Sequence, residues 1–166
     1  MKISTKNFLY LFVLLMLVWF ALASSLNYQM LIFGILVSLI LSIFFSKVYL
    51  ELELPPLSIK RIVYFIIYVF VLFKEIAKAN VDVAYRVLHP KMPIRPGVVV
   101  IKTKLKRDIA KLILANSITL TPGTFTLDIL GDNLLVHWIN VKTEDSEEAT
   151  KIISEKFERY LRVAFN

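Results

Sequence analysis

The sequence predicts a membrane α-helical hairpin, then a long interfacial amphipathic helix, then a small α+β domain of order β-α-β-β-α. Three observations predict it. Of 166 residues, 57% are hydrophobic and the mean hydropathy is +0.67, too apolar for an ordinary soluble domain of this length. No Asp, Glu, Lys or Arg occurs from Asn7 to Ser46, so all 20 basic and 13 acidic residues lie outside that stretch. Beyond Pro90 the pattern changes to short alternating strands and amphipathic helix. The expected parts are residues 1–57 as transmembrane hairpin, 58–89 as amphipathic helix and 90–166 as cytoplasmic domain.

A helix spanning the whole uncharged stretch would be roughly 60 Å long, about twice a hydrocarbon core, so the segment turns once. Ser24-Ser25-Leu26-Asn27 is its cluster of turn-prone polar residues, leaving spans at about 8–24 and 28–45. Lys2 and Lys6 precede the first span, Lys47, Lys60 and Arg61 follow the second, and the turn carries no charge. The positive-inside bias therefore places both chain ends in the cytoplasm and Asn27 outside. A rival reading makes the first span a signal peptide, with Ala21-Leu22-Ala23 as a small-x-small cleavage site. The second apolar span follows almost at once and cysteine is absent, which fits a multi-pass cell-membrane protein better. Gly34, Ser38 and Ser42 recur every four residues, either by chance or as a stripe that lets another helix approach closely. No ionisable side chain sits at membrane depth, so the hairpin alone is not expected to move ions.

From Ile62 to Phe73 the chain is again apolar, for too few residues to span unaided, and it runs on through Lys74, Glu75 and Lys78 without a breaker. At 100° per residue, Lys60, Arg61, Lys74, Glu75, Lys78, Asp82 and Arg86 share an arc of about 140° with Tyr64 and Tyr68. Such a stripe on an otherwise apolar helix belongs at the membrane interface, or half-buried against other membrane helices. A tilted third span is the alternative; it would put the chain ends on opposite sides.

Pro90, Pro93 and Pro96-Gly97 end that helix. Val98 to Leu105 alternates as a strand does, and Asp108 is placed to cap a helix reaching about Ile118. That helix is apolar nearly all round, including Leu112 and Leu114, and needs cover on two sides. Phe125–Leu130 and Leu134–Val141 flank Gly131-Asp132-Asn133 as a hairpin. One final helix is expected, capped by Asp145 or Ser146, with Ala149, Ile152, Ile153, Phe157, Tyr160 and Leu161 on its apolar face.

Composition removes most site chemistry. With no cysteine, and His89 and His137 as the histidines, disulfides, thiolate nucleophiles and Cys-based zinc sites are excluded, and no metal, cofactor or catalytic set is expected. A net charge of +7 and pI near 9.6 suit an anionic leaflet. Lys102, Lys104, Lys106, Arg107 and Lys111 form a basic patch without the aromatic interleaving of a nucleic-acid binder, so anionic lipid is the expected partner. Thr121-Pro122-Gly123-Thr124 has Pro and Gly where a type II turn wants them; it lacks the lysine and glycines of a phosphate loop. Asp128 reads as a hydrogen-bonding anchor beside that turn. His137, with no base or nucleophile pattern around it, is a poor general base.

The run Ala115-Asn116-Ser117-Ile118-Thr119-Leu120-Thr121-Pro122-Gly123-Thr124-Phe125-Thr126-Leu127-Asp128-Ile129 is preceded by Arg95-Pro96-Gly97-Val98-Val99 and followed by Leu135-Val136-His137. With them, the chain resembles the E subunit of the multisubunit Mrp/Mnh-type monovalent cation/proton antiporters. The order of parts agrees too: apolar hairpin, amphipathic segment with Glu75, Asn80 and Arg86, small basic domain. The resemblance implies an accessory, non-catalytic subunit of a sodium/proton exchanger, partnered by larger subunits that move the ions. A stand-alone membrane-anchored enzyme, or a lipid-binding module at the cytoplasmic leaflet, is the alternative that the residues leave open.

Overall fold

The computed structural model of the chain describes residues 5–23, 27–51 and 58–165. Lys2, Ser24 to Leu26, Pro55-Pro56 and Asn166 lie outside them, as do the side chains of Lys6 and Lys47. Among the described residues there are six helices and one three-stranded sheet, in two compact units divided at Leu54 and Pro55.

The first unit holds α1 (Thr5–Leu22) and α2 (Tyr28–Glu51), which pack against each other. Their meeting stripe is small: an added Cβ on Gly34 would lie 2.5 Å from the Trp19 ring, and Ser38 and Ser42 are buried farther along the same face. Trp19 donates its indole N–H to the Met30 carbonyl at 3.0 Å, and Ser42 donates to the Ser38 carbonyl at 2.6 Å. Neither the Trp19 indole nor the Ser42 hydroxyl is thereby left unpaired in apolar surroundings. Among the described residues, the window Tyr28–Phe45 is long and apolar enough to cross a membrane; Phe8–Leu22 is a shorter apolar stretch. Outward side chains on both helices are mostly Leu, Ile, Val and Phe.

The second unit begins with α3 (Ile59–Leu88), 30 residues or about 45 Å long. Then follow β1 (Gly97–Lys102), α4 (Asp108–Leu120), β2 (Thr124–Leu130), β3 (Asn133–Trp138), α5 (Ser146–Ile153) and α6 (Glu155–Phe165). The sheet is antiparallel in the order β1-β3-β2. Its inner face, Val99, Ile101, Leu134, Val136 and Trp138, is covered by α4 and α5, and α6 packs on those helices with Phe157 and Leu161 fully buried. The outer face stays open, with Val98, Val100, Phe125 and Leu127 each about half exposed. α3 lies along α6, reaches the core through Tyr68, and meets Phe165 edge-to-face through Phe65.

Three expectations change. The last helix is two, broken at Ser154, because Thr150 and Ser154 each turn a hydroxyl back onto the carbonyl four residues earlier and bend the chain. Asp108 is not the cap of α4; Arg107 occupies that position and Asp108 sits in the first turn, facing the helix dipole. Lys111 leaves the basic patch: it is buried, and its ammonium clamps the β2–β3 turn through Gly131 O and Asp132 Oδ1, both at 2.8 Å. Of the two residues the pattern offered as the cap of α5, Asp145 is the one used, accepting from Glu148 N at 2.8 Å, and Ser146 is the first residue of the helix.

Candidate functional site

The polar stripe of α3 meets the end of α4 and the turn after it. The last carbonyls of a helix lack partners, and here the run Ser117 to Thr126 supplies them. Thr121 Oγ1 donates to Ser117 O at 2.8 Å, Thr124 Oγ1 to Ile118 O at 2.7 Å, and Thr126 Oγ1 to Ala115 O at 3.1 Å. Thr124 N closes the turn on Thr121 O at 3.2 Å, with Gly123 at φ +90, the geometry of a type II turn. Gly123 also pins the sheet: Ile139 N donates to its carbonyl at 2.8 Å, and Val83 of α3 lies 3.5 Å from where a Cβ would stand. Every threonine of the Thr-Pro-Gly-Thr turn is thus spent on shape. Its neighbour Asp128 accepts from Ile129 N at 2.7 Å beside a bulge in β2, and His137 is half-buried on the outer sheet face.

Over the turn, α3 contributes Glu75, Lys78, Asp82 and Arg86 from one face. Lys156 of α6 donates to Glu75 at 2.7 Å. Burial alone would raise the Glu75 carboxyl, but the hydrogen bond and charge of Lys156, with Lys78 and Lys74 behind it, bring it below the usual carboxylate range. Arg86 forks onto Asp82 at 2.8 and 3.0 Å and donates to Pro93 O at 2.6 Å; with the Asn140 amide assigned so that its oxygen faces the guanidinium, that oxygen accepts at 3.1 and 3.2 Å. This planar, fully used guanidinium fastens the end of α3 to the connection after it and to the end of β3.

From Tyr68 to Arg86, then, the stripe runs beside the chain's own helices and turn, with Tyr68, Glu75 and Arg86 against them and Lys74, Lys78 and Asp82 exposed. Tyr68 is buried and bonds Ser117, Tyr64 is half-buried, and Lys60 lies exposed near the start of α3. Leu114 is fully buried, whereas Leu112 is 49% exposed. Nothing in the sequence pattern points to Lys156 or Asn140, which come from elements far along the chain; Ser117 stands within the Ala115–Ile129 run but carries no signal of its own there. Among the described residues no three His, Cys, Asp or Glu side chains are grouped to hold a metal.

A family profile described as a Na+/H+ ion antiporter subunit matches residues 12–164. The chain belongs to that family. Similar proteins include the E subunit of the Na(+)/H(+) antiporter of Alkalihalophilus pseudofirmus, 42% identical over 52% of this chain and 55% of that protein. The E1 subunit of the Staphylococcus haemolyticus antiporter is 32% identical over 90% of this chain and 91% of its own length. The chain aligns with 55% and 59% of the lengths of the Alkalihalophilus and Bacillus subtilis relatives. Among solved structures, a chain from the structure of the membrane-bound sulfane sulfur reductase, an archaeal respiratory membrane complex, is 46% identical. It superposes with a TM-score of 0.85 over 96% of this chain and 99% of that one. Family membership thus rests on the antiporter-subunit match along nearly the whole sequence, the turn and α3 stripe included.

Proposed function

We propose that this antiporter-family chain is an accessory, non-catalytic subunit of a multisubunit monovalent cation (Na+)/proton antiporter in the cell membrane, where it supports assembly and activity of the complex. The family match over residues 12–164 carries this reading. The geometry supports it. α3 sets Tyr68, Glu75 and Arg86 of its polar stripe against the second unit and leaves Ile59, Phe70, Phe73, Val81 and Leu88 more than 60% exposed along its length. An apolar stripe of that extent calls for lipid or neighbouring subunits. In this reading α1 and α2 span as a hairpin, α3 lies at the interface, and the α+β domain is cytoplasmic, near anionic lipid.

The likeness to a chain of a respiratory membrane complex favours a second reading, in which the same kind of subunit serves an antiporter-like part of a larger redox assembly. Solubilised in mild detergent, the tagged 19.2 kDa chain should travel in an assembly many times its own mass. Redox subunits in that assembly would select the second reading, and migration as a lone protein would sink both. Orientation has its own test, since the chain has no cysteine. Cysteines placed at 27, 47 and 166 and labelled from outside intact cells should react at 27 alone. Reaction at 166 but not at 27 would reverse the topology.

A further inference from the structure

The groove between α3 and the Thr121–Thr124 turn holds more positive charge than its ion pairs use. It encloses about 230 Å³ and is lined by four cations, Lys78, Arg86, Lys142 and Lys156, against two anions, Glu75 and Asp82. Both anions are taken: Glu75 by Lys156 at 2.7 Å and Asp82 by Arg86 at 2.8 Å. The Arg86 fork is spent on Asp82, Pro93 and Asn140, so it cannot offer a second carboxylate a planar, two-bond partner. Lys78 and Lys142 remain, and among the described residues neither is held in an ion pair. They come from α3 and from the segment after β3, both line this groove, and both are exposed. Both lie close enough to Asp82 to add to the lowering that Arg86 imposes on its carboxyl.

We propose that this groove binds a phosphate-type oxyanion between Lys78 and Lys142. Lysine binds phosphate as a point charge, and two lysines on one groove can each serve a different non-bridging oxygen of such a group. At about 30 Å³ per water, the space admits such a group with part of its hydration shell. The anion is either the headgroup of an anionic phospholipid or free phosphate. The charge count belongs to the second unit by itself, and so stands whether or not the chain enters a complex.

The test uses the full chain in zwitterionic detergent, in two arms. One titrates inorganic phosphate by calorimetry; the other adds phosphatidylglycerol or phosphatidylcholine and counts retained lipid by native mass spectrometry. Binding of phosphate in the first arm identifies a soluble anion, and selective retention of phosphatidylglycerol identifies a headgroup. Either should fall about tenfold or more in the double variant Lys78→Gln/Lys142→Gln. It should persist in Lys78→Arg/Lys142→Arg, and in Lys91→Gln/Lys151→Gln, which removes the same charge from exposed lysines outside both the groove and the basic patch. Absence of binding in both arms, or an equal loss in the Lys91/Lys151 control, overturns the site. The assembly reading is decided separately, by the size of the native complex.

Discussion

Leu114→Glu is expected to abolish folding of the second unit, while Leu112→Glu, two residues away, leaves it folded and releases the subunit from its neighbours. Leu114 is fully buried between the sheet and α6. A carboxylate there has no partner and costs several kcal/mol, a large part of a total stability of about 5–15 kcal/mol. Leu112 points outward from α4 and is half exposed, so a charge costs little until another protein covers it. The check is far-UV circular dichroism of each purified variant, with the size of the native assembly. If Leu112→Glu assembled as the parent does, that side of α4 would not be a contact.

Gly123→Val should lower the unfolding temperature by several degrees. The residue sits at φ +90, where an L side chain is strained, and its Cβ would stand 3.0 Å from Ile139 Cγ2 before the two valine methyls are added. Strain of this kind costs about 1–3 kcal/mol, and each kcal/mol shifts a domain of this size by about 4–8 °C. Gly131→Asn is the control. Gly131 is also left-handed, at φ +62, but nothing lies within 4 Å of its would-be Cβ, and Asn tolerates that conformation. A Gly123→Val variant as stable as Gly131→Asn would contradict the turn's part in holding α4, β3 and α3 together.

What was legible in the sequence is what neighbours in the chain decide. Charge exclusion from Asn7 to Ser46 marked two apolar helices, Ser58 and His89 bracket α3, Asp145 caps α5, and Pro122-Gly123 requires its turn. What was not legible depends on partners brought close only by folding. Glu75 and Lys156 are 81 residues apart, and nothing near either one announces the other. Lys111 looks like one more surface cation until the hairpin turn supplies two acceptors. The stripe of α3 shows the same limit: periodicity places Glu75, Asp82 and Arg86 on one face, but which surface that face meets is a tertiary fact. The break at Ser154 lies between the two, since Thr150 and Ser154 have the right spacing to back-bond, yet hydroxyls at that spacing also occur in unbroken helices.

A subunit that, as proposed, completes a complex without chemistry of its own does not depend on any single ionisable group for exchange, and Asp128 with His137 offers the sharpest place to test this. Asp128 is the carboxylate of the Ala115–Ile129 run beside the turn, already accepting its neighbour's amide at 2.7 Å. His137 faces outward from the central strand with no nucleophile beside it in the register. The measurement is sodium-dependent proton exchange in membrane vesicles, normalised to the amount of intact complex, for Asp128→Asn and His137→Gln. Exchange per assembled complex is expected to stay nearly unchanged in both variants. Loss of exchange in Asp128→Asn at a full level of complex would give this subunit a direct part in ion movement and contradict the proposed role.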